Sequence, residues 1–425
     1  MNTRTAKGLD VRIVAALIAA SGCAAALGAQ NGAPFSNTQP SLAVSQVTTD
    51  TGIFPSPSGG SGSGDMLGFV YDFAGNFAPG GSLAAQGQLL PISQNTALFS
   101  LLGTTYGGNG VTNFALPNLA GKAVIGAGGG APLGIATGSA TVSLSSAQMP
   151  GASNQQPFSN VQPSLPLETL IATSGVFPSQ SGGAPASFLG QIATFAGNFV
   201  PGGWSLANGS LLPIATNQAL FSILGTTYGG NGTTTFALPN LTGRAAVGAS
   251  SSIPLGSSFG SASTLLTNAQ VHGTPVSNYQ PSLAVNYIIA VSGIFPSLNG
   301  GLGFNPTTPT LGEISAFAGT FAPAGWAFAH GQLLTIASNP ALFSILGTTY
   351  GGNGTTNFAL PDLDGRTLVG TGGSGNDLVG EVLGNSEIIL SAANLPIPEP
   401  DSCALILAGL GLLGAATRRH RVKPA

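Results

Sequence analysis

The chain has 425 residues, of which 43% are hydrophobic and only 5% charged, with 65 glycines, 30 prolines and two cysteines. Disordered chains combine low hydrophobicity with high net charge; this one has neither, so it is expected to fold, with turns and short strands favoured over long helices. Between Gln30 and Leu395 only Lys122, Arg244 and Arg366 stand against ten carboxylates, a net charge of −7 that leaves no basic patch for phosphates and excludes nucleic-acid binding.

Residues 1–29 read as a secretory signal peptide. They hold a basic start (Arg4, Lys7, Arg12), an apolar run from Ile13 to Leu27, and Ala26 and Gly28 at the −3 and −1 positions of a signal-peptidase site. A loose lipoprotein box ending at Cys23 is the competing reading, with Ala20 where leucine is usual. Cys23 and Cys403 are the only cysteines and both lie in terminal segments expected to be removed. The mature chain should therefore have no disulfide and no thiol metal site.

Between the ends the sequence repeats itself with a period of 122 residues. "FAGNFAPGGSLAAQGQLLPI" (Phe73–Ile92) returns at Phe195–Ile214 and Phe317–Ile336, and "FALPNLAGK" (Phe114–Lys122) at Phe236–Arg244 and Phe358–Arg366. The three interior cations are thus one residue repeated. A second motif, "PFSNTQPSLAVSQVTTDTGIFPS" (Pro34–Ser56), returns at Pro157–Ser179 and Pro275–Ser297. One copy of this motif precedes each block and none follows the last. The first copy is therefore expected to pack on the third block, closing the chain on itself.

Inside each block a short helix is expected before "LGTTYGGNG". Asn95 would cap it through its side-chain carbonyl, Ala97, Leu98, Leu101 and Leu102 would form its apolar face, and Gly103 would take the left-handed position past its end. Pro340 at the first helical position of the third copy supports that frame. The glycines that follow mark a tight turn around Asn109, Asn231 and Asn353, and "FALP" then reads as a short strand.

This turn fails as a nucleotide loop, because no Lys-Ser/Thr pair follows the glycines and the turn comes after a helix. Catalysis also finds no support: His272, His330 and His420 do not recur between copies. The carboxylate pair Asp362 and Asp364 becomes Asn118 and Ala120, then Asn240 and Thr242. A calcium loop at Asp362 and Asp364 would be confined to the third copy. No enzyme, no cofactor and no metal site are expected. Lys122, Arg244 and Arg366 read as loop clamps on carbonyls, or as a shared anion site. Tyr106, Tyr228 and Tyr350 read as packed lids with satisfied hydroxyls, or as faces that stack on a sugar. Trp204 and Trp326 give way to Ser82, so their place is core or rim and tolerates loss.

These motifs together, "FAGNF…PGGW", "ALFSxLGTTYGGNGxTxFALPxLxGR" and "NxQPSL…GIFPS", resemble the phage tail collar domain and the microcystin-dependent protein family. The resemblance implies small, mainly β domains with short α-helices, of the kind that assemble in threes in tail fibres. Here three copies, 67–179, 189–297 and a truncated 311–390, stand in one chain, with 34–56 as an orphan motif; an intrachain pseudo-trimer, monomeric in solution, is expected. Two departures from the family pattern stand out. Its frequent cysteine is Ala85, Ala207 and Ala329, and of its histidine cluster before the tail motif only His272 remains.

The last segment, 396–425, holds Pro398-Glu399-Pro400, an apolar run from Cys403 to Ala416 and the basic cluster that begins at Arg418 and Arg419. Fourteen helical residues span roughly 21 Å, short of a ~30 Å hydrocarbon core, so 403–416 is a marginal, transient inner-membrane anchor. The layout resembles the PEP-CTERM sorting signal of Gram-negative bacteria. That resemblance implies export by way of signal peptidase, processing by an exosortase, and release at the cell surface or into the extracellular matrix. The function expected is a secreted or surface structural and adhesive protein contacting exopolysaccharide. A glycan- or ice-binding module and a phage-derived tail fibre component are the alternatives.

Overall fold

The computed structural model describes residues 31–57, 66–181, 188–296, 308–372 and 377–396. The expected signal peptide, the processing residues Pro398, Glu399, Pro400, Arg418 and Arg419, and the apolar run 403–416 lie outside these residues. Among the described residues no helix is long and apolar enough to cross a membrane.

The protein is mainly β with short helices, and three equivalent units surround a common axis. The elements that build this arrangement are, in chain order, β1 (Ser41–Thr49), β2 (Phe69–Phe73), α1 (Thr96–Leu102), β3 (Ala123–Gly126), β4 (Ser164–Ala172), β5 (Gln191–Phe195), α2 (Gln218–Leu224), β6 (Ala245–Gly248), β7 (Ser282–Ala290), β8 (Glu313–Phe317), α3 (Pro340–Leu346) and β9 (Thr367–Gly370).

The long strands β1, β4 and β7 are the "QPSL" motifs, and each serves two blocks. The first half of β4 runs parallel to β3 of the first block, and its second half antiparallel to β5 of the second. β7 repeats this between β6 and β8. β1 has no block before it in the chain. Its first half nevertheless runs parallel to β9, Ser41 opposite Thr367 through Val44 opposite Gly370, while its second half pairs with β2. The motif thus touches both the third block and the first. β1 and β7 are buried almost throughout, which suits strands covered on both faces.

Two rings of short strands close the axis. β2, β5 and β8 pair with one another in a triangle, and so do contacts among β3, β6 and β9. In the second ring the amide of Gly126 donates to the carbonyl of Arg244 (3.1 Å), Gly248 to Arg366 (2.9 Å) and Gly370 to Lys122 (3.1 Å). The last of these bonds joins the end of the chain to its beginning.

The cores are shared in the same sense. Phe195 of the second block meets Leu101 and Leu102 of α1 at Gly68, Phe317 meets Ile223 and Leu224 of α2 at Gly190, and Phe73 meets Ile345 and Leu346 of α3 at Gly312. All three phenylalanines are fully buried. Leu42 and Val44 of the first motif lie in one apolar cluster with Leu342, Leu346 and Phe358 of the third block. Burying a leucine or phenylalanine side chain stabilises by about 1.5–3 kcal/mol, so each unit draws much of its stability from the next.

Three local expectations need correction. Asn95 precedes α1, but its side chain does not cap the helix; its Nδ2 donates to the carbonyl of Pro91 instead (3.0 Å). That carbonyl belongs to the tight turn Ile92–Gln94, which competes for the amide. Ala97 is exposed, and the buried face of α1 is Leu98, Leu101 and Leu102. Gly103 has a positive φ of 54° but an extended ψ of −135°, so the chain leaves the helix sharply without a left-handed turn.

Candidate functional site

Each repeated candidate residue has a definite place. Lys122 Nζ donates to the carbonyl of Ala120 (3.4 Å), Arg244 to that of Asn240 (3.2 Å) and Arg366 to that of Asp362 (2.9 Å). All three are half-buried and tie down the loop just before themselves. Burial holds the Lys122 ammonium below its usual range. The structure does not bring the three cations to one anion site. Arg244 borders the axial cavity described below, and Lys122 a separate cavity of about 430 Å³ shared with Asp377 and Gln162.

The tyrosines reach across the seams between blocks. Tyr106 Oη donates to the carbonyl of Ala196 (2.6 Å), Tyr228 to Ala318 (3.1 Å) and Tyr350 to Ala74 (2.8 Å). Each acceptor is the alanine of "FAG" in the next block, and the third bond again joins the last block to the first. Burial raises the three hydroxyl pKa values, and the nearby Glu168 carboxylate adds to the effect at Tyr106. The hydroxyls therefore stay protonated donors. They hold blocks together and are already partnered.

The asparagines organise the turn that follows. Asn109 Oδ1 accepts the amides of Val111, Thr112 and Asn113 (2.9, 2.8 and 3.1 Å), and its Nδ2 donates to Thr112 Oγ1 (2.9 Å). Asn231 and Asn353 do the same for 233–235 and 355–357. One glycine here is strictly needed: a Cβ at Gly108 would lie 2.4 Å from Phe114 Cα, and φ is +92°.

The third copy's carboxylates are already paired. Asp362 forms an ion pair with Arg366, and Asp364 contacts His330 Nδ1. Among the described residues there is no cluster of His, Cys, Asp and Glu that could hold a metal ion.

Sequence reasoning passed over the middle of the molecule. A cavity of about 70 Å³ lies between the two strand rings, bordered by Gln46, Asp72, Gln191, Tyr287 and Glu313. Gln46 Nε2 donates to Asp72 Oδ1 (2.8 Å), and Glu313 Oε2 accepts the amide of Thr310 (3.2 Å). Desolvation pushes Asp72 up to about 6 and Glu313 up to about 8, the Asp72 charge adding to the Glu313 shift. Near neutral pH Glu313 is therefore mostly a neutral acid beside a mostly ionised Asp72. A charged residue inside an otherwise apolar strand, "FVYDF" or "EISAF", was the available signal.

The missing tryptophan is also explained here. Trp204 and Trp326 are buried (8% and 5% exposed), and so is Ser82 (6%). Tyr71 Oη donates to Ser82 Oγ (3.1 Å), and the positions equivalent to Tyr71 are the small Ala193 and Ser315. The ring lost at Ser82 is replaced from the neighbouring strand.

Two outcomes are expected. Tyr350→Phe, like Tyr106→Phe and Tyr228→Phe, should lower the unfolding free energy by about 1 kcal/mol through a lost hydrogen bond to a seam carbonyl, as read by denaturant titration. Because Glu313 and Asp72 titrate above their ordinary values, the unfolded chain releases these protons first as pH rises. Stability should then be greatest near pH 4 and fall through the window up to about 8, and Glu313→Gln should flatten the upper part of that fall. Thermal midpoints across this range measure it.

Comparison with known proteins agrees with this geometry. No curated protein and no solved structure matches the chain. The phage tail collar domain family matches residues 68–124, 190–246 and 312–368, the stretches that run from β2, β5 and β8 to β3, β6 and β9. The PEP-CTERM protein-sorting motif matches residues 396–421. The chain carries three tandem phage tail collar domains followed by a C-terminal PEP-CTERM sorting motif.

Proposed function

We propose that this is a non-enzymatic, adhesive structural protein of the cell surface or extracellular matrix, in which three collar repeats act as one preassembled head. The sorting motif supports export across the inner membrane and handling by an exosortase. In this reading the leader 1–29 is removed on export, the repeats are 67–179, 189–297 and 311–390, and residues 34–56 complete the third. The head is monomeric and needs no partner chain to form. The closure between β1 and β9 is the observation that carries this reading, because it places all three repeats around one axis within a single chain.

The adhesive part is supported by three apolar tips. Ile53-Phe54, Val176-Phe177 and Ile294-Phe295 occupy equivalent places, and Phe54, Phe177 and Phe295 are 47%, 49% and 54% exposed. Three equivalent weak contacts on one body gain avidity for a repetitive polymer such as an exopolysaccharide. The tyrosines lend less to a sugar-stacking role, since their hydroxyls are engaged at the seams.

Fractionation of producing cells tests both parts. Wild-type protein is expected in the matrix fraction, shortened at its C-terminus by mass spectrometry. Replacing Pro398, Glu399 and Pro400 with alanine should leave the uncut chain in the inner-membrane fraction. Phe54→Ser, Phe177→Ser and Phe295→Ser together should preserve export but shift the protein from the matrix into the medium. Unchanged matrix retention of that triple variant would contradict the adhesive role, and unchanged processing of the alanine variant would contradict the sorting role.

A further inference from the structure

The repeat sets one seam beside another. Where the third block meets the second, Tyr279 fills the space next to the loop 362–366. Its Oη donates to the carbonyl of Gly365 (3.2 Å), and its ring meets Phe259 edge to face at 5.0 Å. Tyr279 Oη and Ile253 Cδ1 both lie 3.7 Å from where a Cβ on Gly365 would stand. Arg366 has its own carboxylate in Asp362. This seam is filled.

The seam that closes the ring, between the third block and the first, is built differently. Thr38 stands for Tyr279, Leu383 for Phe259, Asp377 for Ile253, Lys122 for Arg366 and Asn118 for Asp362. The registers agree: Leu383 pairs with Ser41 as Phe259 does with Ser282, and the amide of Gly380 donates to Ala43 as that of Gly256 does to Ala284. Two aromatic rings are gone, and in their place lies the cavity of about 430 Å³ bordered by Thr38, Leu383, Asp377 and Lys122. That volume is typical of small-molecule sites.

Two opposite charges face this space without using each other. Lys122 Nζ has one long hydrogen bond, to the carbonyl of Ala120 (3.4 Å), and no ion pair among the described residues. The Asp377 carboxylate has neither a hydrogen bond nor an ion pair among them. Both side chains are half-buried, and burial works against each charge: it lowers the Lys122 pKa and, with Glu381 nearby, raises that of Asp377. A ligand that answers both relieves both.

We propose that this cavity binds a uronic-acid unit of an acidic polysaccharide, a reading that rests on the adhesive function above and names the sugar it takes. The sugar carboxylate accepts from Lys122, the ring hydroxyls donate to Asp377 and bond with Ser36 and Thr38, and the C–H face of the ring lies on Leu383. A neutral sugar leaves the half-buried ammonium without a counter-charge. A sulfate or phosphate dianion sets its second charge against Asp377. Ser36 and Ala140 are exposed at the rim, so a polymer can enter and leave.

Isothermal titration of the purified protein with trigalacturonate tests this. Saturable binding at a single site is expected. The same trisaccharide with its carboxyls reduced to alcohols should bind about tenfold more weakly, the weight of one hydrogen bond to a charged group. Lys122→Gln should weaken trigalacturonate binding by a similar factor and leave the reduced sugar unaffected. Thr38→Tyr, which gives this seam the side chain the other has, should block binding while keeping the thermal midpoint. No binding by the wild type, equal binding of the reduced sugar, or equal binding of triglutamate would overturn the proposal, the last by making any carboxylate sufficient. These three comparisons use only the wild type, so they depend on no variant folding. They also use no cells, so their failure is distinct from failure of the adhesive reading, which matrix retention measures.

Discussion

The parallel pairing of Ser41–Val44 with Thr367–Gly370 is the interaction on which the other features depend. Parallel strands need a long connection, and here that connection is almost the whole protein. The pairing sets the order of everything else around the axis. It places Leu42 and Val44 in the core of the third block, brings Phe73 onto α3, and lets Tyr350 reach the carbonyl of Ala74. Were β1 free, the third block would expose the edge of β9, and β2 would lose the antiparallel partner that lies along it, keeping only its short contacts with β5 and β8. Unpaired edges of this kind invite association between chains.

Enclosing three units in one chain also removes a constraint that binds assemblies of identical chains. In a symmetric trimer every residue near the axis occurs three times. A buried carboxylate would then meet two copies of itself. Here Asp72 has Thr194 and Ala316 as its counterparts, and Glu313 has Phe69 and Gln191. One acid of each kind can be buried, with Gln46 and the amide of Thr310 as partners. The exchange of Trp for Ser82 and of a small residue for Tyr71 is another such asymmetry, tolerated because it is made once. Asn37, Asn160 and Asn278, and Gln39, Gln162 and Gln280, are buried too but have kept their threefold identity, unlike the residues that line the cavity.

Much of this was legible in the sequence because it is written three times. The fold class, the repeated blocks and their collar resemblance followed from spacing and motif, and the short helices from the apolar pattern around Leu98, Leu101 and Leu102. The role of Asn95 was misjudged because a local rule for helix caps met a competing carbonyl at Pro91, a contact no pattern reveals. The tyrosine seams were invisible for a different reason: their partners lie 90 or 276 positions away in a backbone carbonyl, which carries no side-chain signature. Gln39, Gln162 and Gln280 were quoted within a motif, yet the bonds their side-chain oxygens accept from the neighbouring motif join positions more than 110 residues apart and have no signature in the sequence.

Cross-linking tests the closure most directly. Ala43 and Val369 are register partners on β1 and β9, buried and adjacent. With Cys23 and Cys403 replaced by serine, the double variant Ala43→Cys, Val369→Cys should form one disulfide within a single chain, giving a non-reducing band at monomer mass. A disulfide that joins different chains, or two thiols that stay free under oxidation, would contradict a ring closed by one polypeptide.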